Sequence, residues 1–202
     1  MTPPRTLVLD IGNVLLRFDF GSALRRIAPH CQVPVLEGLA ASEAIKHDYE
    51  SGRIGRREFL DRVFERLGYT GPEEGFVRAW NEIFTENVPM TRIVRALHGR
   101  LPMFLLSNTS DLHMEYIRET FEVFGLLPEG VYSWEARCMK PEPEIFRLAI
   151  ERLGLDPAAT IYVDDLAPNI ATARALGFRC VPYDPDRHDA ALAEMRRFGL
   201  EV

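Results

Sequence analysis

The chain has 202 residues, 47% of them hydrophobic and 27% charged, with a formal net charge of -6. That is an ordinary globular balance, with room for one domain or a domain plus a small lid. It excludes a long basic face for nucleic acid and any apolar run long enough to span a membrane. Its short basic pairs, Arg56-Arg57 and Arg196-Arg197, sit inside helical patterns and read as solvated faces.

In chain order, the first apolar stretch is too short and too early for a signal peptide. Residues 6–9 predict a strand that ends at Asp10. From Leu16 to about Met90 no strand pattern stands out. A crossover between parallel strands needs only a dozen or so residues, so this interval reads as a domain-sized helical insertion. Phe59, Leu60, Val63, Phe64 and Leu67 form a helical stripe closed by Gly68. Phe76, Val77, Trp80, Ile83 and Phe84 form another, which reads as packing core. Breakers at Pro34, Gly52, Gly55 and Gly71-Pro72 divide the insertion into about four helices. Strands follow at 103–106, 130–133, 160–163 and 178–182. A helix over 142–153 stops at Gly154, and one over 168–176 stops at Gly177. The expected architecture is α/β: a three-layer Rossmann-like parallel sheet with a helical cap inserted after the first strand. The core would be 1–15 and 91–202, and the cap 16–90. Cys31, Cys138 and Cys180 are odd in number, with no C-x-x-C pair, and predict free thiols in a reducing cytoplasm.

Open parallel sheets bind ligands at the carboxyl ends of their strands. Those ends carry Asp10, the Ser107-Asn108-Thr109 stretch, and Asp164-Asp165, with Lys140 at a nearby helix start. Three carboxylates, a hydroxyl and a lysine on one rim suit phosphoryl transfer, which needs a nucleophile, positioning and charge neutralisation. A carboxylate such as Asp10 can attack phosphorus and form an aspartyl phosphate. Adjacent carboxylates repel and call for a cation, and hard oxygen ligands favour Mg2+. Ser107 and the amides after it can hold phosphate oxygens, while Lys140 adds a point charge.

Read singly, each residue has a plainer explanation: helix caps for the aspartates, a turn for Ser107, a surface site for Lys140. Together, DIGNVL beginning at Asp10, LLSNTS, MKPEPEIF and VDDLAPNI occur in the order of the haloacid dehalogenase superfamily, which the whole chain resembles. Within it, the closest resemblance is to small bacterial sugar phosphatases, including those for hexose 1-phosphates. The resemblance implies that Asp10 is nucleophile and metal ligand, with the Gly12 carbonyl, Asp165 and, directly or through water, Asp164 completing the protein ligands. Ser107 and the Asn108 backbone would bind phosphate, Lys140 would bridge phosphate and Asp10, and the insertion would close over a small phosphorylated metabolite.

Two positions depart from the family pattern. The aspartate that protonates the leaving alcohol is Gly12 here, and a glycine three residues before the lysine is Arg137. Without that acid, an acidic anomeric leaving group is favoured. His113 and ordered water are candidate replacements, though a structural His113 is the plainer reading. His47, Glu50 and Arg53 lie beside lid breakers and are candidates to face substrate. The rival readings are a metal-independent haloacid dehalogenase and a catalytically weak regulatory binding protein. A monomer or weak homodimer is expected.

Overall fold

The computed structural model describes residues 4–201; residues 1–3 and 202, part of the expected core segments, lie outside the described residues. Strand β1 (Thr6–Leu9) leads into the β2 strand (Leu16–Phe18). Five helices follow: α1 (Phe20–Ile27), α2 (Val35–Ala40), α3 (Glu43–Glu50), α4 (Arg56–Leu67) and α5 (Glu73–Asn81). The chain returns through β3 (Phe84–Glu86) and α6 (Val88–Leu97) to β4 (Met103–Ser107) and α7 (Asp111–Thr120). Then come β5 (Gly130–Tyr132), α8 (Ser133–Ala136), α9 (Pro143–Leu153), β6 (Thr160–Asp164), α10 (Ala167–Ala175), β7 (Arg179–Pro182) and α11 (His188–Arg197).

Strands β5-β4-β1-β6-β7 make one parallel sheet in that order. Leu7, Val8 and Leu9 in its centre are wholly buried. Side chains alternate along a strand, so an unbroken apolar run demands cover on both faces. Leu7 and Leu9 pack with Ile161, Val163 and the α6 residues Val94 and Leu97. Val8 packs on the other face with Tyr162, with Phe146 of α9 and with Ile170 of α10. Each such side chain contributes about 1.5–3 kcal/mol through burial. Two covered faces make the three-layer α/β architecture read from the strand-helix alternation.

The insertion differs from expectation in two ways. It holds five α-helices where the breakers suggested about four. It also contains strand: β2 and β3 pair antiparallel, Leu16 with Glu86 and Phe18 with Phe84. Three-residue strands this far apart in sequence carry no local periodicity to read. The helices share an apolar core around Phe59, Leu67, Phe76 and Trp80, which Leu112 of α7 joins from the sheet domain. Gly68 ends α4 in the left-handed conformation, and Gly154 does the same for α9.

Contacts around Gly52 and Arg56 help seat the insertion on the sheet domain. Gly52, at φ 67°, lies so close to Trp134 that a Cβ would stand 2.1 Å from its carbonyl oxygen. Only glycine fits there. Arg56 forms ion pairs with Asp111 (2.9 Å) and Glu115 (2.8 Å) on α7, and the Tyr49 hydroxyl also donates to Asp111. Arg137, where glycine was expected, keeps the left-handed turn at φ 56° as the cap of α8. An arginine there bears a strain of roughly 1–2 kcal/mol, and the loop shape survives the substitution.

Candidate active site

The end of β1 is fixed before any chemistry begins. The Asp10 N–H donates to the Val163 carbonyl of β6 at 3.0 Å, and the Ile11 N–H donates to Asp10 Oδ1 at 2.7 Å. Leu15 and Leu16 both donate to the Ile11 carbonyl, and Asn13 takes a left-handed φ of 53°, which asparagine tolerates. This turn aims the buried Asp10 carboxylate into a cavity of about 310 Å³. Gly12, Ser107, Asn108, Lys140 and Asp165 line the same cavity. The structure thus gathers residues 10, 107, 140 and 165 around one space.

Lys140 is the hub. Its ammonium donates to Asp10 Oδ1 (2.9 Å), Asp164 Oδ2 (2.7 Å) and the Leu106 carbonyl (2.9 Å). Three acceptors match the three protons of an ammonium. Its backbone is held too: Asn108 Oδ1 accepts from Lys140 N–H and Asn108 Nδ2 donates to Lys140 C=O, both at 2.8 Å. Asn108 therefore uses its side chain to join two loops, leaving its backbone for the cavity. Ser133, wholly buried, fastens the first loop by accepting from Thr109 N–H and donating to Thr109 C=O.

The paired aspartates differ. Asp164 is wholly buried and accepts from Lys140, Tyr162 O–H, Leu166 N–H (2.8 Å) and Asn169 Nδ2 (2.9 Å). Asp165 is half-buried, borders the cavity and accepts from Asn13 Nδ2 (2.9 Å). Carboxylate oxygens of Asp10, Asp164 and Asp165 all lie within 4.8 Å of one another. Three carboxylates against one ammonium leave an excess of negative charge. Burial raises the Asp10 carboxyl to about 6; Lys140 opposes this and Asp164 adds to it. Asp165 is also raised, by burial first, with Asn13 opposing. A site in this state favours a cation.

The remaining sequence candidates divide. His113 borders the cavity but is buried, with Nε2 3.1 Å from the Trp80 carbonyl and its ring stacked on Trp80. Burial pushes it down to about 4, so near neutral pH it donates Nε2–H to Trp80 and has no second proton to give. The structural reading of His113 stands, and it is not the substitute acid. Below its ordinary value of 6.5 the unfolded chain takes up a proton that the folded chain refuses until about pH 4. Stability therefore falls by on the order of 3 kcal/mol across that window. In His113→Gln this component of the slope should vanish in urea unfolding measured from pH 7.5 to 4.5; an unchanged slope would refute the assignment. His47 and Arg53 turn to Asp48 on the surface, while Glu50 faces the cavity together with Lys46. Position 12 is partly closed: a Cβ there would meet the Phe18 ring at 3.3 Å.

Sequence reasoning missed Asn13, Ser133 and Tyr162 as supports. Asn13 lies in a loop, Ser133 follows a strand and Tyr162 is in the middle of β6, and only folding brings each to its partner.

A family model of haloacid dehalogenase-like hydrolases matches residues 4–177. The chain belongs to the haloacid dehalogenase-like hydrolases. The hydrolase is 26% identical over 191 residues to a D-ribitol-5-phosphate phosphatase of Bacteroides thetaiotaomicron, covering 86% of this chain and 89% of the relative. It is also 26% identical over 96 residues to the fructose-1-phosphate phosphatase YqaB of Escherichia coli, covering 48% and 51%. A crystal structure of a HAD-family enzyme of B. thetaiotaomicron, in complex with magnesium and inorganic phosphate, superposes with a TM-score of 0.81 at 26% identity. It covers 90% of this chain and 95% of that one.

Proposed function

We propose that this hydrolase is a magnesium-dependent phosphatase that cleaves a small sugar or polyol phosphate through an aspartyl phosphate on Asp10. The observation that carries the reading is the floor of the cavity. A buried carboxylate at a strand end touches one ammonium and shares its surroundings with two more carboxylates. The phosphatase relatives and the magnesium and phosphate complex of a structural neighbour point the same way.

The residues fit magnesium, since the donors are all hard oxygens. Asp10, the Gly12 carbonyl and Asp165 would hold the ion. Asp164 would act from behind, because Lys140, Tyr162, Leu166 and Asn169 already engage both its oxygens. The ion would offset charge on the carboxylates and the transferring phosphoryl group. Ser107 and the backbone of Asn108 would bind phosphate oxygens, and Lys140 would steady the phosphate while holding Asp10 in line. The helical insertion would act as the cap, shutting water out during attack. Three free cysteines suit a cytoplasmic setting, and among the described residues no helix is long and apolar enough to cross a membrane.

The acidic pair disfavours the dehalogenase alternative, in which Asp10 attacks carbon without a metal: uncompensated carboxylates would repel the attacking one. A panel of phosphorylated metabolites, headed by hexose 1-phosphates and pentitol phosphates, should release inorganic phosphate with magnesium and lose it on chelation. Turnover that persists in chelator, or dehalogenation in its place, would end this reading. So would no turnover at all, which would favour a binding protein.

A further inference from the structure

Gly12 offers no side chain to protonate the departing oxygen. Six titratable side chains line the cavity: Asp10, Lys46, Glu50, His113, Lys140 and Asp165. Asp10 is the nucleophile. Asp165 is tied to Asn13 on the cation side. The Lys140 ammonium already serves three acceptors. His113 donates its one proton to Trp80. Two groups on α3 remain, Lys46 and Glu50, one helical turn apart and so on the same face.

Lys46 lies with its ammonium 5.3 Å over the Phe20 ring, a cation–π contact within the insertion. Glu50 is the last residue of α3, at the cavity wall formed by the insertion. It has no hydrogen-bond or salt-bridge partner among the described residues. Of the other acidic side chains of α3, Asp48 is engaged by Arg53, and neither Asp48 nor Glu43 lines the cavity. An unpartnered carboxyl in a confined site is disfavoured as an anion.

We propose that Glu50 is the general acid and base of the reaction, reaching the leaving oxygen from the helical insertion in place of the side chain missing at Gly12. This rests on the phosphatase reading above. As the bond from Asp10 Oδ to phosphorus forms and the ester P–O bond breaks, the Glu50 proton passes to the leaving oxygen. A neutral alcohol departs and Glu50 becomes a carboxylate. Glu50 then takes one proton from a water whose oxygen bonds to phosphorus. The bond from Asp10 Oδ to phosphorus breaks, giving hydrogen phosphate, the Asp10 carboxylate and a protonated Glu50.

The surroundings of Glu50 support the role. Burial raises its carboxyl above the ordinary value, Lys46 and His47 oppose, and Glu43 adds. It shares the cavity with Asp10, Asp165, Lys140 and His113. Placing the acid on the insertion also makes proton transfer depend on the insertion sitting over the substrate.

The test is kcat/KM, which reports the steps through alcohol release, for the magnesium-loaded full chain. Two esters are compared: a pentitol phosphate, whose alcohol needs a proton, and p-nitrophenyl phosphate, whose oxygen leaves without one. Glu50→Gln and Glu50→Met should lower the first by about 10²–10⁴-fold and abolish the alkaline limb of its pH profile. The loss for p-nitrophenyl phosphate should be at least about tenfold smaller. Equal losses on both esters in variants with the wild-type unfolding midpoint, or no loss on either, overturn the assignment while leaving the phosphatase intact. A wild type that hydrolyses neither ester removes the phosphatase reading and this role with it.

Discussion

Lys140→Met should lower folding stability by about 3–5 kcal/mol, measured by urea unfolding in chelator. Methionine is unbranched and only one atom shorter than lysine, so it fills most of the space and the effect reports the loss of the ammonium and its three hydrogen bonds. The wild-type ammonium is almost wholly enclosed, with side-chain exposure of 1%, and neutralises the buried Asp10 and Asp164. Burial alone would lower its proton affinity; Asp10 and Asp164 outweigh that, and the Lys140 value is raised. Without it, two enclosed carboxylates face each other, and one must take up a proton or draw in water. Turnover should fall as well, because Asp10 loses the partner that holds it aimed. A stability change below about 1 kcal/mol would show that the hub is not an electrostatic keystone.

Asp10→Asn should separate activity from stability. The amide nearly matches the carboxylate in shape but cannot form the phosphoryl ester, so kcat/KM should drop by at least about 10⁴-fold. Stability should hold or rise. Asp10 is raised to about 6 from an ordinary value of 3.8, so the folded chain binds its proton more tightly than the unfolded chain. Wild-type stability from this group is full below about pH 4 and is lost as pH rises through 6. The asparagine removes that loss. In chelator at pH 7 the variant should therefore unfold at a urea concentration equal to or above the wild type. Residual activity above about 1% would remove Asp10 from the nucleophile's role.

What the sequence disclosed follows the physics of each element. The five sheet strands were legible because both faces are covered, which makes each a run of apolar residues bounded by turn residues. The ribbon of β2 and β3 was not, since Leu16 and Glu86 meet only after the whole insertion has folded between them. Helix α11 escaped notice because Ala191 and Met195 are its only buried residues among those described, too few to mark a stripe. At the site, the strand ends gave away Asp10, Ser107, Asp164 and Asp165. The unlike roles of the two adjacent aspartates did not show, because they depend on Tyr162, Asn169 and Asn13 arriving from different directions. Likewise, nothing local separates Glu50 from His47 and Arg53. Which side of α3 looks inward is decided by how the insertion docks, with Gly52 against Trp134.

The insertion's apolar nucleus, distinct from the two that cover the sheet, has a consequence for how such an enzyme can diversify. Phe59, Phe76 and Trp80 support the roof from within, whereas the rim below is braced by its own polar contacts through Lys140 and Asn108. Residues on the underside of the roof, such as Lys46, can therefore be exchanged without loosening the polar network of the floor. A lineage could retarget the enzyme to a different alcohol by redecorating one surface and inheriting the other unchanged.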